Sequence, residues 1–199
     1  FFFNLAGTTP ANVAALDGFL YVVRPSILEL FCLLVASKAG LKKVFYQNDD
    51  LDFLKTETFR AKTGDPTSLS HNVVADFLEE KNGNLWVSTF NGLNFLGKSA
   101  APNGRFRQFL ARPGEAGSLS NNVVRPLFQD RTGILWIGTD KGINKLNLAK
   151  KPFKTVRFSE KTDDSGNVVF DMDNSRTAQN RIWVATSSGL NRLELGPGG

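Results

Sequence analysis

SLSNNVVRPLFQDRTGILWIGTDKGINKL, from Ser118 to Leu146, decides the fold because the chain has already said it once. Fifty residues earlier, Ser68 to Leu96 reads SLSHNVVADFLEEKNGNLWVSTFNGLNFL. Aligned without gaps, 13 of 29 positions are identical, among them Trp86/Trp136, Thr89/Thr139, Gly92/Gly142 and Asn94/Asn144. A third copy, NVVFDMDNSRTAQNRIWVATSSGLNRL, ends at Leu193 and repeats the pattern in Trp183, Gly189 and Asn191. Recurrence at a period of 40–50 residues is the mark of a repeat architecture and takes precedence over local propensities.

Each clear unit reads as four strands. In the second they are RFRQFLA, NVVRPLFQD, ILWIGT and INKLNLA, with turns RTG and DKG between the last three. The first unit has KNG and FNG there, and Asn-Gly between two strand-like runs is a strong hairpin signal. Trp86, Trp136 and Trp183 each sit in a short run that is apolar on both sides. Such strands need cover on both faces, and a lone four-stranded sheet cannot provide it. Stacked sheets can, so the expected fold is all-β, a partial β-propeller of three clear four-stranded antiparallel blades. A β-helix solenoid would have much shorter coils. The blades are expected at residues 56–98, 105–149 and 153–196, followed by a flexible tail at 197–199.

Residues 1–55 admit two readings. Shifted by 42 residues, RPSILELFCLLVASKAGLKKVFYQNDDLDFL overlies the first clear unit and would be a degenerate fourth blade. The rival is a short helix over residues 26–38, since an all-apolar run has no diagnostic period.

The pattern SL-S-N-N-V, then D-x-x-G-x-L-W-I-G-T, then G-[LI]-N-x-L resembles the two-component regulator propeller repeat. Here Ser118 to Val123, Asp130 to Thr139 and Gly142 to Leu146 carry it. Glu80 and Ser88 in the first copy, and Ala185 in the third, depart from the pattern's Asp and Gly. The resemblance implies a ligand-sensing module from the extracytoplasmic, periplasmic sensor region of a bacterial histidine kinase, hybrid two-component protein or diguanylate cyclase. It further implies a small molecule or glycan fragment as ligand and an output domain elsewhere. A protein–protein scaffold and a propeller lyase or hydrolase are the competing classes. Three or four blades hardly close a ring, and the chain starts at Phe1 with Met172 as its only methionine. The expectation is therefore a fragment, completed by further blades of a longer chain or by a second copy.

Composition narrows the classes. The net charge is +5, but the basic residues are dispersed, without the clustered stripe of a nucleic-acid-binding surface. The run from Ile27 to Ala36 is too short to span a bilayer, carries Glu29 and does not make a convincing signal peptide. One cysteine, Cys32, and one histidine, His71, are too few for a zinc site. The carboxylate groups at Asp49, Asp50 and Asp52, and at Asp163, Asp164, Asp171 and Asp173, lack the spacing of a calcium loop. No metal, cofactor or catalytic residue is assigned, and the chain is read as a non-enzyme. His71 stands where the second copy has Asn121, which marks it as a turn-capping group.

Positions identical between copies are explained by the blade: Trp86, Trp136 and Trp183 for the core, Gly92, Gly142 and Gly189 for turns, Asn94, Asn144 and Asn191 for bonding. Ligand contacts belong where the copies differ. In a propeller the inter-blade loop and the middle hairpin of each blade open onto one face. On that reasoning Lys81, Arg131, Arg176 and Gln179 are set at one level of the rim, with Phe90 as an exposed aromatic for a sugar.

Overall fold

The computed structural model describes residues 20–25, 32–46, 53–115, 117–147, 153–158, 166–174 and 181–195. Their strands form four antiparallel sheets in chain order. The first holds β1 (Leu20–Pro25), β2 (Cys32–Ser37), β3 (Gly40–Tyr46) and β4 (Phe53–Phe59). The second holds β5 (Val74–Glu79), β6 (Leu85–Thr89), β7 (Gly92–Leu96) and β8 (Arg107–Phe109). The third holds β9 (Val124–Gln129), β10 (Leu135–Thr139), β11 (Gly142–Leu146) and β12 (Lys154–Val156). The fourth has three strands, β13 (Val169–Asn174), β14 (Arg181–Thr186) and β15 (Gly189–Glu194). Every sheet is a plain meander, and β5 and β13 both lie against β9, as β1 lies against β5. These are propeller blades, with the first strand of each innermost.

The described residues between 20 and 59 thus form a blade, and β2 stands in place of the alternative helix over residues 32–37; the start of that helix, residues 26–31, lies outside the described residues. The expected blade limits shift by one strand. Arg107–Phe109 pairs with β7 and closes the second sheet; it does not open the third. Phe53–Phe59 likewise closes the first sheet, and Lys154–Val156 the third. The sequence units 56–98, 105–149 and 153–196 begin at a strand that repeats equally well on either side. Only its hydrogen bonds assign it. Residues 197–199 lie outside the described part.

The core sits between sheets. Leu34, Ala36 and Leu41 of the first blade pack with Val74, Phe77 and Val87 of the second. Trp86 and Leu93 pack with Val124, Leu127 and Ile137 of the third, and Trp136 and Ile143 with Val169, Met172 and Val184 of the fourth. The middle strands β6 and β10 are buried along their whole length. That is the packing the two-sided apolar runs required.

The repeated polar residues bind the blade to its entry loop. The Ser70 amide donates to Asn94 Oδ1 (2.9 Å), and the Ser120 amide to Asn144 Oδ1 (3.0 Å). Thr89 and Thr139 hydroxyls donate to the carbonyls of Gly92 and Gly142, each at 2.8 Å. Trp86 Nε1 donates to Glu80 Oε1 (2.8 Å), as Trp136 Nε1 does to Asp130 Oδ2 (2.7 Å). Glu80 therefore accepts the same bond as the Asp it replaces. Trp183 departs from the expectation of a buried residue: it is 39% exposed, against 3% for Trp86 and 2% for Trp136. Its sheet covers the third blade, but among the described residues no further blade covers it.

Candidate functional site

The inner strands carry an irregularity that the alternating pattern does not reveal. Val74 pairs with Thr89 and Asp76 with Ser88, so Ala75 has no partner. Val169 pairs with Thr186 and Asp171 with Ala185, which leaves Phe170 outside the ladder. In β9 the register breaks between Val124 and Leu127, at Arg125 and Pro126, and in β1 it breaks at Tyr21. Every blade has a bulge one residue after its first paired position. Bulges bend the strand and re-aim a side chain, and they favour functional rims.

The bulges lie at the end of the inner strand where the inter-blade loop arrives. The middle hairpins are bonded to the same loops. The Phe90 amide donates to the Val73 carbonyl (3.1 Å), Asp140 to Val123 (3.3 Å) and Ser187 to Val168 (3.0 Å). Bonds also cross to the next blade: Gly92 N–H donates to the Asn122 carbonyl (2.6 Å) and Gly142 N–H to the Asn167 carbonyl (2.8 Å). One face therefore gathers bulge residues and middle-hairpin turns from successive blades.

Three blades meet there around Arg125. Its guanidinium carbon lies 5.6 Å from the centroid of Phe90, in the second blade's turn, and 5.9 Å from that of Phe170, on the fourth blade's bulge. Both distances are within cation–π range. The third blade's own turn supplies Asp140, whose carboxylate accepts from Arg125 Nε. Phe90 is 39% and Phe170 57% exposed, and the ion pair is partly open to solvent. The result is a surface with two exposed aromatic rings, a fixed cation and a carboxylate. Such a mixture of apolar rings and convergent polar groups suits a small polar ligand with an apolar side.

Of the residues singled out in the sequence, Phe90 is the only one among the described residues that stands in this cluster. Lys81 and Arg131 are exposed, but they occupy the first hairpin of their blades, not the middle one. The five-residue strand β6 separates Lys81's turn from that of Phe90, about 17 Å at roughly 3.3 Å per residue. Lys81 and Arg131 are thus corrected to the opposite face. Arg176 and Gln179 lie outside the described residues, as do Asp49, Asp50, Asp52, Asp163 and Asp164. Sequence reasoning misses Arg125, Asp140 and Phe170, although comparison of the copies holds the signal. The position after the paired Val reads Ala75, Arg125, Phe170, and the position after the last Thr reads Phe90, Asp140, Ser187.

His71 caps its own loop. Its Nδ1 accepts the Val73 amide at 3.0 Å, as Asn121 Oδ1 accepts the Val123 amide at 2.7 Å. Among the described residues no three His, Cys, Asp or Glu side chains converge as metal ligands, and no helix is long and apolar enough to cross a membrane.

The sheets, bulges and bonded loops define a β-propeller built from sequence repeats. Two of those repeats, residues 68–91 and 118–141, match the two component regulator propeller repeat. Among solved structures, the chain is similar to virginiamycin B lyase from Staphylococcus aureus, with 12% identity and a TM-score of 0.51 over 90% of this chain and 57% of that one. YCF48 from Cyanidioschyzon merolae is similar at 13% identity and a TM-score of 0.51, over 89% and 59% of the two chains. The extracellular domain of a hybrid two component system from B. thetaiotaomicron matches at 21% identity with a TM-score of 0.47. It is covered over 27% of its length by 89% of this chain, so the chain spans about a quarter of that domain. No curated protein matches. At these identities the likeness is one of fold.

Proposed function

We propose that this chain is part of a ligand-sensing propeller in the extracytoplasmic region of a bacterial signalling protein. Its ligand is a small molecule or glycan fragment, bound on the face formed by Phe90, Arg125, Asp140 and Phe170. The observation that carries the reading is the gathering of copy-divergent residues from three blades around one guanidinium, two of them on bulges. Exposed rings stack on the apolar face of a sugar, while Arg125 and Asp140 bond its hydroxyls. The regulator-propeller repeats support the signalling context. Binding alone is assigned to this chain, and the response belongs to a separate output domain.

The test is calorimetric titration of the chain with a panel of neutral and acidic oligosaccharides, repeated with Arg125→Ala and Phe170→Ala. Phe170 is exposed and Arg125 partly so, in an ion pair that is itself open to solvent, so the variants unfold within about 1 kcal/mol of the wild type. A sugar that binds the wild type loses about tenfold or more in affinity with either variant, or about 1.4 kcal/mol. Binding undiminished in both would move the ligand elsewhere.

A further inference from the structure

The charge at the Arg125 cluster is cancelled within a single blade. Arg125 Nε donates to Asp140 Oδ1, and Nη2 donates to Oδ2 at 3.4 Å. This side-on pairing takes up one edge of the guanidinium and leaves the other edge outward. Among the described residues nothing accepts from Nη1. Lys141, next in the turn, has contacts of its own and is not a free cation beside the pair. The pair also occurs only once. Where the third blade has Arg125 on its bulge and Asp140 in its middle turn, the second has Ala75 and Phe90 and the fourth has Phe170 and Ser187. Those residues bring rings, a methyl and a hydroxyl, and no charge.

A ligand arriving there meets donors on Nη1 beside acceptors on the Asp140 carboxylate, flanked by the rings of Phe90 and Phe170. A hydroxyl both donates and accepts, so two neighbouring hydroxyls bond Nη1 and a carboxylate oxygen together. A carboxylate, sulfate or phosphate group only accepts. It uses Nη1 alone and comes to rest near the Asp140 carboxylate, a like charge that repels it. It also gives up its own hydration for an arginine whose charge is already matched.

We infer that the site selects uncharged polyhydroxy ligands over their anionic counterparts, and that Asp140 is the residue that sets this selection. The inference rests on the reading of the cluster as a sugar site and narrows it. The ligand class is a neutral oligosaccharide, and fragments bearing uronic acids or sulfates are rejected. Selection works by opposing the wrong ligand as well as by bonding the right one. Asp140 does both, since the carboxylate that accepts from a hydroxyl is the one that repels an acid.

The experiment is calorimetric titration of the whole chain, and of Asp140→Asn, with maltotriose, cellotriose and galactotriose, each beside the same trisaccharide oxidised at C6 to the uronic acid. The readout is the ratio of the two affinities within one protein, which does not depend on how much of that protein is folded. In the wild type the neutral member of a bound pair is favoured by about tenfold or more. Asn keeps an oxygen for Arg125 Nε but not the charge, so in the variant the ratio moves towards the acid by about tenfold or more. That movement shrinks between about 0.02 M and about 0.5 M salt, as an effect of charge must and an effect of size does not. Three results overturn the inference while leaving the sugar site standing: an acid bound by the wild type as tightly as its neutral partner, a ratio that Asp140→Asn leaves in place, or a movement indifferent to salt. Absence of binding by every one of the trisaccharides overturns the sugar reading itself, and this inference with it.

Discussion

The Leu127 amide donates to Asp76 Oδ2 at 2.9 Å, and the bond joins the innermost strands of two neighbouring blades inside the protein. Asp76 also accepts the Phe77 amide through Oδ1 at 2.8 Å, so both carboxylate oxygens are engaged by backbone donors. Most contacts between blades are apolar and indifferent to small sliding. This one fixes the register of β9 on β5.

Asp76→Ala leaves the buried Leu127 amide without that acceptor. The expected cost is about 1.5–3 kcal/mol, the range for a hydrogen bond to a charged group. Chemical denaturation measures it, and a midpoint equal to wild type would show that the bond does not tie the blades together.

The tryptophans give a graded prediction. Trp136→Ala opens a cavity between the third and fourth blades and costs about 3–5 kcal/mol. Trp183→Ala removes a side chain that is already 39% exposed and costs markedly less, about 1–2 kcal/mol by area. Thermal unfolding of the two variants side by side distinguishes them. Equal losses would contradict the open face on the fourth blade.

His71→Asn keeps an acceptor for the Val73 amide, as Asn121 does for Val123 in the next repeat. The substitution is expected to change stability by no more than about 0.5 kcal/mol and to leave ligand binding intact. Loss of binding with an unchanged unfolding curve would give His71 a role beyond capping.

Asp65 provides a pH test in the loop entering the second blade. The Thr67 hydroxyl donates to its carboxylate at 2.7 Å and the Thr67 amide at 2.9 Å, and these bonds hold its pKa below the ordinary carboxylate value. A depressed folded pKa means that the stabilisation is complete above the unfolded value and fades as pH falls towards the folded one. NMR titration of the Thr67 amide therefore shows a transition on the acid side of a free aspartate. A transition at or above the free value would refute the assignment.

Much of this fold can be read from the chain. Trp86 and Trp136, Gly92 and Gly142, Asn94 and Asn144 announce themselves by recurring, and each does in the structure what its residue type suggests. The blade limits are different. Phe59 and Phe109 repeat just ahead of each unit, and nothing local says which sheet they join, because strand pairing is a long-range property. The candidate site is half legible. Phe90 stands out as an aromatic in a turn where the sister copy has Asp140. Arg125 and Phe170 also differ between copies, but they lie within runs that read as ordinary strand, and a bulge leaves no mark in a two-residue period. Lys81 and Arg131 fall on the wrong face in the sequence reading because the first and second hairpins of a blade look alike and open at opposite ends.

The bulges have a consequence for how such a protein changes over generations. A residue within the ladder answers to its cross-strand neighbour, and replacing it disturbs two strands at once. Ala75, Arg125 and Phe170 have no partner within the ladder. A methyl, a guanidinium and a phenyl group already occupy the same place in three blades of one molecule. The scaffold thus offers positions where a side chain can change while the strand ladder is inherited unaltered, and duplication of a blade supplies another such position each time.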